Sequence, residues 1–270
     1  MAAPLAALAV SSRANSFIQA WRTRKWLALD SYPPPPTSLS EMYDTHLAIQ
    51  QHPAVNSEFG GLAGYKLGAV GALGETCLYA PLFGRYLVDA PGDRLSAASI
   101  NLWQIEPEIG FVLNADLAAR SDGRPHSAAA AWAAVSEVVL CIECCGKRRA
   151  LDDATISGLG GFADTLSSGG VVFGPRFPAA SVTVDATLCA TALHVNDREV
   201  ATGSGTATPL GSPAEALAWL ANHLNGRGLA LEKGHFVATG QTCNTKACAP
   251  GDRVVATFDG LGRVEMVIAP

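Results

Sequence analysis

Residues 103–113 alternate between apolar and polar positions. Trp103, Ile105, Pro107, Ile109, Phe111 and Leu113 fall on one parity; Gln104, Glu106, Glu108, Gly110 and Val112 fall on the other. A period of two predicts a strand with one apolar face and sends Glu106 and Glu108 to the same side. Carboxylates held that close repel, so water, a cationic side chain or a metal ion must compensate them, unless the face is simply solvated. Pro107 has no N–H to give to a ladder and predicts a sheet edge or a bulge. The same reading predicts helices over residues 5–27 and from a Ser38 or Ser40 cap through Gln51, with the proline-rich stretch 32–38 extended between them. His52-Pro53 ends the second helix. From residue 60 short apolar runs cut by glycine predict strands at 62–70, 171–173, 182–196, 199–203, 236–239, 253–258 and 264–268. Residues 78–88 read as a loop with a short strand, 89–93 as a turn, 126–135 as an Ala-rich helix and 156–170 as a Gly/Ser loop. Val138–Ile142 is a continuous apolar run, the pattern of a strand buried on both faces, and it ends in Glu143. Ser212 and Pro213 open a helix running to Leu224.

Composition narrows the classes. With 270 residues, 49% of them hydrophobic, the chain can bury a large core as one domain or as a core with a smaller N-terminal piece. The division expected is a helical layer over residues 1–59 and a catalytic body over 60–270. Only 16% of residues are charged and the net charge is −5, with no basic run longer than Lys147-Arg148-Arg149, which reads as solvated. That argues against nucleic acid as a partner. No apolar run is long enough to span a bilayer, so no membrane partner is expected. Seven cysteines form no framework. Cys141 and Cys144, three apart on a strand, point to opposite faces, so reduced thiols fit better than a zinc clamp or a redox pair. A cytoplasmic location follows, with a mitochondrial alternative: residues 1–29 lack acids and carry Arg13, Arg22, Arg24 and Lys25, a composition that suits a transit peptide. Trp21 and Trp26 look instead like packing residues.

Glu106 and Glu108 on one strand face and Glu143 at the end of a buried strand make three carboxylates in need of partners. Converging on an open site, they would suit a hard divalent ion that keeps waters for a substrate to displace. The stretch Glu106-Pro-Glu108-Ile-Gly-Phe resembles the metal-binding strand of the fumarylacetoacetate hydrolase superfamily, in its 2-keto-4-pentenoate hydratase and 4-oxalocrotonate decarboxylase branch. Gly64-Tyr-Lys66-Leu-Gly68, Cys141-Ile-Glu143, Ala163-Asp164-Thr-Leu-Ser167-Ser168, the segment 196–221, Val237-Ala-Thr239-Gly240 and Ala249-Pro-Gly251-Asp252 resemble further elements of that branch in order, from about residue 60 onward. The chain departs from the pattern at Pro81, where an aspartate is usual, and at Thr165, Ser212 and His235.

The resemblance implies an α+β fold, a Gly-rich mixed β-roll preceded by a helical N-terminal layer. It also implies a homo-oligomer and a small 2-hydroxy or 2-oxo acid substrate of aromatic catabolism. On it, Glu106, Glu108 and Glu143 are expected to ligate Mg2+ or Mn2+. Lys66, with a pKa lowered in a tight apolar site, is the expected proton shuttle or carboxylate cap, and Asp164 the acid/base. Ser167, Ser168, Thr239 and Gly240 are expected to bind substrate. Solvated glutamates, a surface lysine, a loop-capping aspartate and turn-forming serines are the ordinary alternatives. The activity implied is hydration of a 2-hydroxy-2,4-dienoate. Decarboxylation of a 2-oxo-3-hexenedioate, another 2-oxoacid cleavage, or oxoacid binding without turnover (given Pro81) are the other readings.

Overall fold

The computed structural model describes residues 2–70, 75–90, 95–150 and 158–270. Helices come first: α1 (Ala2–Thr23), α2 (Leu39–Gln50) and α3 (Pro53–Glu58). Ser38 caps α2 by accepting the Glu41 N–H, and the Glu41 carboxylate takes the buried Arg13 guanidinium of α1 at 2.9 Å. His52 follows α2 and also starts the next helix, its Nδ1 accepting the Ala54 N–H at 3.1 Å. Phe17, Ile18 and Trp21 of α1 share one buried cluster with Leu67, Leu78, Ile109 and Leu220, so the basic N-terminal stretch is part of the packed body. No helix among the described residues is long and apolar enough to cross a membrane.

The strands are β1 (Leu62–Val70), β2 (Glu75–Phe83), β3 (Leu87–Asp89), β4 (Leu102–Leu113), β5 (Val135–Gly146), β6 (Ser168–Pro178), β7 (Ala190–Val195), β8 (Arg198–Ser204), β9 (Phe236–Gln241), β10 (Arg253–Phe258) and β11 (Gly262–Val267). A seven-stranded sheet runs β2-β1-β9-β4-β5-β6-β3, and a four-stranded sheet runs β11-β10-β7-β8. The larger sheet is mixed, with β1/β9 and β3/β6 parallel. Further helices among the described residues are α4 (Ala97–Ile100), α5 (Ala128–Trp132), α6 (Gly158–Phe162) and α7 (Pro213–Gly226).

Several local expectations change. Residues 75–83 form a full strand because they pair along β1, which supplies the order that their composition does not. The Ala-rich helix shrinks to α5, since Val135 already belongs to β5. The Gly/Ser loop holds α6 and runs into β6 at Ser168, and residues 182–189 precede rather than join β7. Part of the expected 89–93 turn (Pro91, Gly92 and Asp93) and the start of the loop (Ile156 and Ser157) lie outside the described residues.

Parity explains where the site sits. The odd face of β4 carries fully buried Ile105, Ile109 and Phe111, and Phe111 packs edge-on against Trp132 of α5 at 5.3 Å. The even face points into the curl of the sheet. Leu82 of β2, Phe236 and Ala238 of β9, Val139 and Cys141 of β5, and Val171 and Phe173 of β6 form a separate buried cluster. Outer and inner strands can share a cluster only if the sheet bends round on itself. Gly110 makes room for this plug: a Cβ there would lie 2.3 Å from the Phe236 ring. The remainder of the same concave face holds the polar residues.

Pro107 lies in an interior strand, not at an edge. The register of β4 against β9 slips between Glu108 and Gly110, and the Thr242 N–H reaches the Pro107 carbonyl at 2.8 Å. This is the bulge alternative, in which the ladder requires no donor from proline. Pro81 lies on the outer strand β2 opposite Tyr65, whereas Lys66 faces Ala80. Pro81 is therefore on the face turned away from Lys66, and an acidic side chain there would not point toward the carboxylates.

Candidate metal and active site

Glu106 of β4 and Glu143 of β5 are direct partners across the antiparallel ladder, and Glu108 stands opposite Cys141. All three carboxylates share the concave face. Glu108 and Glu143 are fully buried. Glu108 Oε2 accepts the Gly240 N–H at 2.8 Å, but Glu108 Oε1 and Glu143 Oε2 have no hydrogen-bond partner among the described residues, and Glu143 Oε1 has the Lys66 ammonium at 2.9 Å. Buried carboxylate oxygens without donors are costly and call for a cation. Burial, then repulsion from Glu143 and Glu106, pushes the Glu108 carboxyl well above its ordinary range. Burial pushes Glu143 up to about 7, with Lys66 pulling the other way.

Lys66 supplies a single positive charge to this cluster. It extends from β1, where Gly64 is required: a Cβ at that residue would lie 1.8 Å from the Phe236 carbonyl oxygen. Lys66 Nζ lies 2.9 Å from Glu143 Oε1 as an ion pair and donates to the Leu166 carbonyl at 3.1 Å. The expected fall in its pKa is corrected. Burial alone would lower it, but Glu143, with Cys145, Glu106 and Glu108 behind it, raises it overall. The site holds an ammonium because carboxylates outnumber it. Carboxylate, amide and ion-pair chemistry of this kind fits a hard divalent cation, and Glu106, Glu108 and Glu143 are the residues that would hold one. A ligand atom from each of Glu106, Glu143 and Cys145 lies within 4.8 Å of the other two.

The loop at 164–168 is held from behind. Arg148, fully buried, pairs through Nε with Asp164 Oδ1, and its backbone N–H donates to Asp164 Oδ2 at 2.7 Å. Its guanidinium also donates to the Ser168 carbonyl, to the Asp164 carbonyl at 2.8 Å and to Thr165 Oγ1 at 2.9 Å. It stacks over Trp21 at 4.4 Å. This network holds Thr165, Leu166 and Ser167 at φ of 46°, 49° and 58°, a left-handed run that costs energy in each non-glycine residue. The basic run 147–149 is thus buried, not solvated. Lys147 Nζ sits 2.9 Å from the centroid of the Trp103 ring, and burial brings its ammonium down to about 8.

A cavity of about 310 Å³ opens on the cluster, lined by Lys66, Glu106, Gln104, Cys145, Ser167, Gln241 and Thr245 on its polar side and by Trp103, Phe162, Leu166, Ala207 and Pro209 on its apolar side. A larger groove of about 780 Å³ beside α1 carries Lys25 as its one ionisable residue, so the chemistry belongs to the smaller cavity. Of the residues expected to act on substrate, Lys66 and Ser167 line the cavity. Asp164 does not: both its oxygens are taken by Arg148, so its geometry is that of a loop holder rather than an acid/base. The carbonyl of Ser168 serves the same network. Thr239 Oγ1 is turned to the Ile109 carbonyl at 2.6 Å, and Gly240 acts through Glu108. Gln104 and Cys145 were open to prediction, each two residues from a site glutamate on its own strand. Thr245 carries no comparable signal.

Comparison with known proteins adds to this geometry. Residues 87–269 match the family model described as fumarylacetoacetate (FAA) hydrolase C-terminal. The chain is 34% identical over 192 residues to 2-keto-4-pentenoate hydratase 1 of Dechloromonas aromatica, covering 70% of each. It is 34% identical over 161 residues to 2-keto-4-pentenoate hydratase of Paraburkholderia xenovorans, covering 60% of this chain and 57% of that one. Its fold superposes with a TM-score of 0.80, at 22% identity and 96% of both chains, on 4-oxalocrotonate decarboxylase from Pseudomonas putida G7, complexed with magnesium and adipate. The chain belongs to the fumarylacetoacetate hydrolase family.

Proposed function

We propose that the protein is a divalent-metal-dependent hydratase that adds water to a 2-hydroxy-2,4-dienoate, with Mg2+ or Mn2+ held by Glu106, Glu108 and Glu143. The observation that carries this reading is the pair of buried oxygens, Glu108 Oε1 and Glu143 Oε2, without partners among the described residues beside a cavity of substrate size. The hydratases among its relatives support the reaction class. A bound cation would neutralise the cluster and, as a Lewis acid, stabilise negative charge on the substrate's C2 oxygen.

The chain's own groups do the rest. Lys66 Nζ and Ser167 Oγ bind the C1 carboxylate, and Lys66 holds a proton between Glu143 Oε1 and the Leu166 carbonyl. In the overall reaction the dienol loses its 2-hydroxyl proton and gains one at C5, giving a conjugated 2-oxo-3-enoate. Water then adds at C4 and a proton ends at C3. Trp103, Phe162 and Leu166 give the distal carbons of the substrate an apolar wall. Arg148 and Asp164 act only through the loop they hold.

The walls favour hydratase over decarboxylase. Among the described residues lining the cavity, Lys66 is the one cation, whereas a hexenedioate brings a second carboxylate. The decarboxylase reading would require Lys147 to leave the Trp103 face and turn inward. The family's self-association and its catabolic setting are part of the proposal, as is the division at residue 60, with the helical layer folding together with the body.

The test is the ultraviolet absorbance of 2-hydroxypenta-2,4-dienoate with Mg2+ or Mn2+, and then with EDTA. Metal-dependent decay with formation of 4-hydroxy-2-oxopentanoate is expected. Metal binding without decay, together with CO2 release from 2-oxo-3-hexenedioate, would replace the hydratase with the decarboxylase. Oxoacid binding with no product from either substrate would leave a binding protein.

A further inference from the structure

Cys145 has no role in the chemistry above, yet it lies in the cluster. It is two residues from Glu143 on β5 and opposite Gln104 on β4, so parity turns its thiol onto the concave face. It is 1% exposed and lines the cavity. It makes no disulfide. Cys144 is not its partner in any such chemistry, since that side chain joins the core on the opposite face. The Cys145 Sγ and one oxygen each of Glu106 and Glu143 lie within 4.8 Å of one another. Independently of the thiol, Glu143 Oε2, fully buried at the same place, lacks a hydrogen-bond partner among the described residues.

We propose that Cys145 is a metal ligand, giving a site of carboxylate oxygens plus one sulfur. This deepens the metal-dependent reading and rests on it. Mg2+ has little use for a thiolate, whereas Mn2+, Co2+ and Zn2+ gain from one in increasing measure. The site therefore prefers the softer divalent ions over Mg2+ more strongly than carboxylates alone would make it. On binding, the Sγ–H bond breaks, an Sγ–metal bond forms and the proton leaves to solvent, so uptake of these ions releases a proton that uptake of Mg2+ does not. Gln241 Oε1, buried in the cavity wall and also without a partner, is left to face a metal-bound water or the substrate.

The experiment is Co2+ titration of the metal-free protein, followed by absorbance and by calorimetry. A strong near-ultraviolet thiolate-to-cobalt charge-transfer band is expected to saturate at one ion per chain and to be absent in Cys145→Ser. That variant should bind Co2+ more weakly by at least the roughly tenfold that loss of an outer-shell partner costs, with Mg2+ binding unchanged. Saturable Co2+ binding to the wild-type protein without the band would overturn the proposal and leave the carboxylate site standing. The wild-type spectrum decides this point even if the variant fails to fold. Absence of binding by Co2+, Mg2+ and Mn2+ alike would remove the carboxylate reading and this one with it.

Discussion

Asp164→Asn separates two roles for one side chain. The sequence offers Asp164 as an acid/base; the fold gives both of its oxygens to Arg148. Asparagine keeps the volume and one acceptor but removes the charge that balances a fully buried guanidinium. Breaking a buried ion pair from one side costs about 3–5 kcal/mol, because the surviving charge stays in a low-dielectric site. The Asp164 and Ser168 carbonyls and Thr165 Oγ1 still accept from Arg148, which places the cost near the lower end, about 3 kcal/mol. At about 2–4 °C per kcal/mol for a chain of this size, Tm should fall by roughly 6–12 °C. Thermal melts by circular dichroism measure the fall, and hydratase rates across pH, taken well below Tm, measure the chemistry. The rate should drop because the 165–167 turn is less firmly held, while both limbs of the pH profile persist. An unchanged Tm together with a collapsed rate and a missing limb would show that Asp164 moves a proton after all.

Glu108→Gln keeps an acceptor for the Gly240 N–H but removes a proposed ligand and a repelling charge; metal binding by calorimetry and metal-dependent turnover should both disappear while the metal-free melting temperature holds or rises. Retained activity with the same metal dependence would refute the ligand assignment. Metal-free stability should fall as pH rises. Burial holds Glu143 at about 7 in the fold against an ordinary carboxyl value of 4.5, so between those values the folded chain binds a proton that the unfolded chain has released. Its contribution, on the order of 3 kcal/mol, is full below the lower value and lost as pH climbs through the upper one. Melts in EDTA at pH 5 and pH 8 test this, and a higher Tm at pH 8 would contradict it. Gly110→Ala forces a methyl to 2.3 Å from the Phe236 ring and should cost about 1–3 kcal/mol by overpacking; an unmoved urea midpoint would argue against the interior plug.

The strand that carries Glu106 and Glu108 was legible because its alternation is local, and Glu143 because an apolar run ended on it. The sequence did not reveal which way the polar face turned. A solvated face and an inward one share the same period, and only pairing from β2 through to β6 curls the sheet around the carboxylates. The basic run 147–149 was misleading for a related reason. The partner that buries Arg148 is Asp164, sixteen residues away in the chain, and no local pattern links them. The direction of the Lys66 shift was likewise out of reach, since it depends on how many carboxylates from two other strands surround the amine. Cys145 and Gln104 were readable at a spacing of two, but neither residue type draws attention by itself.

Pro81 has a consequence apart from catalysis. It lies on β2, one of the two outer strands of the larger sheet. Free strand edges are templates on which another chain can add its own strand, the usual first step toward aggregation or domain swapping. A proline on an outer strand is tolerated where its missing N–H faces away from the sheet, and there it interrupts the row of donors that an incoming strand would need. Self-assembly of this protein should therefore proceed through side-chain surfaces rather than by lengthening the sheet. Replacing Pro81 with a β-branched residue would leave the pocket untouched while making concentrated solutions less tractable.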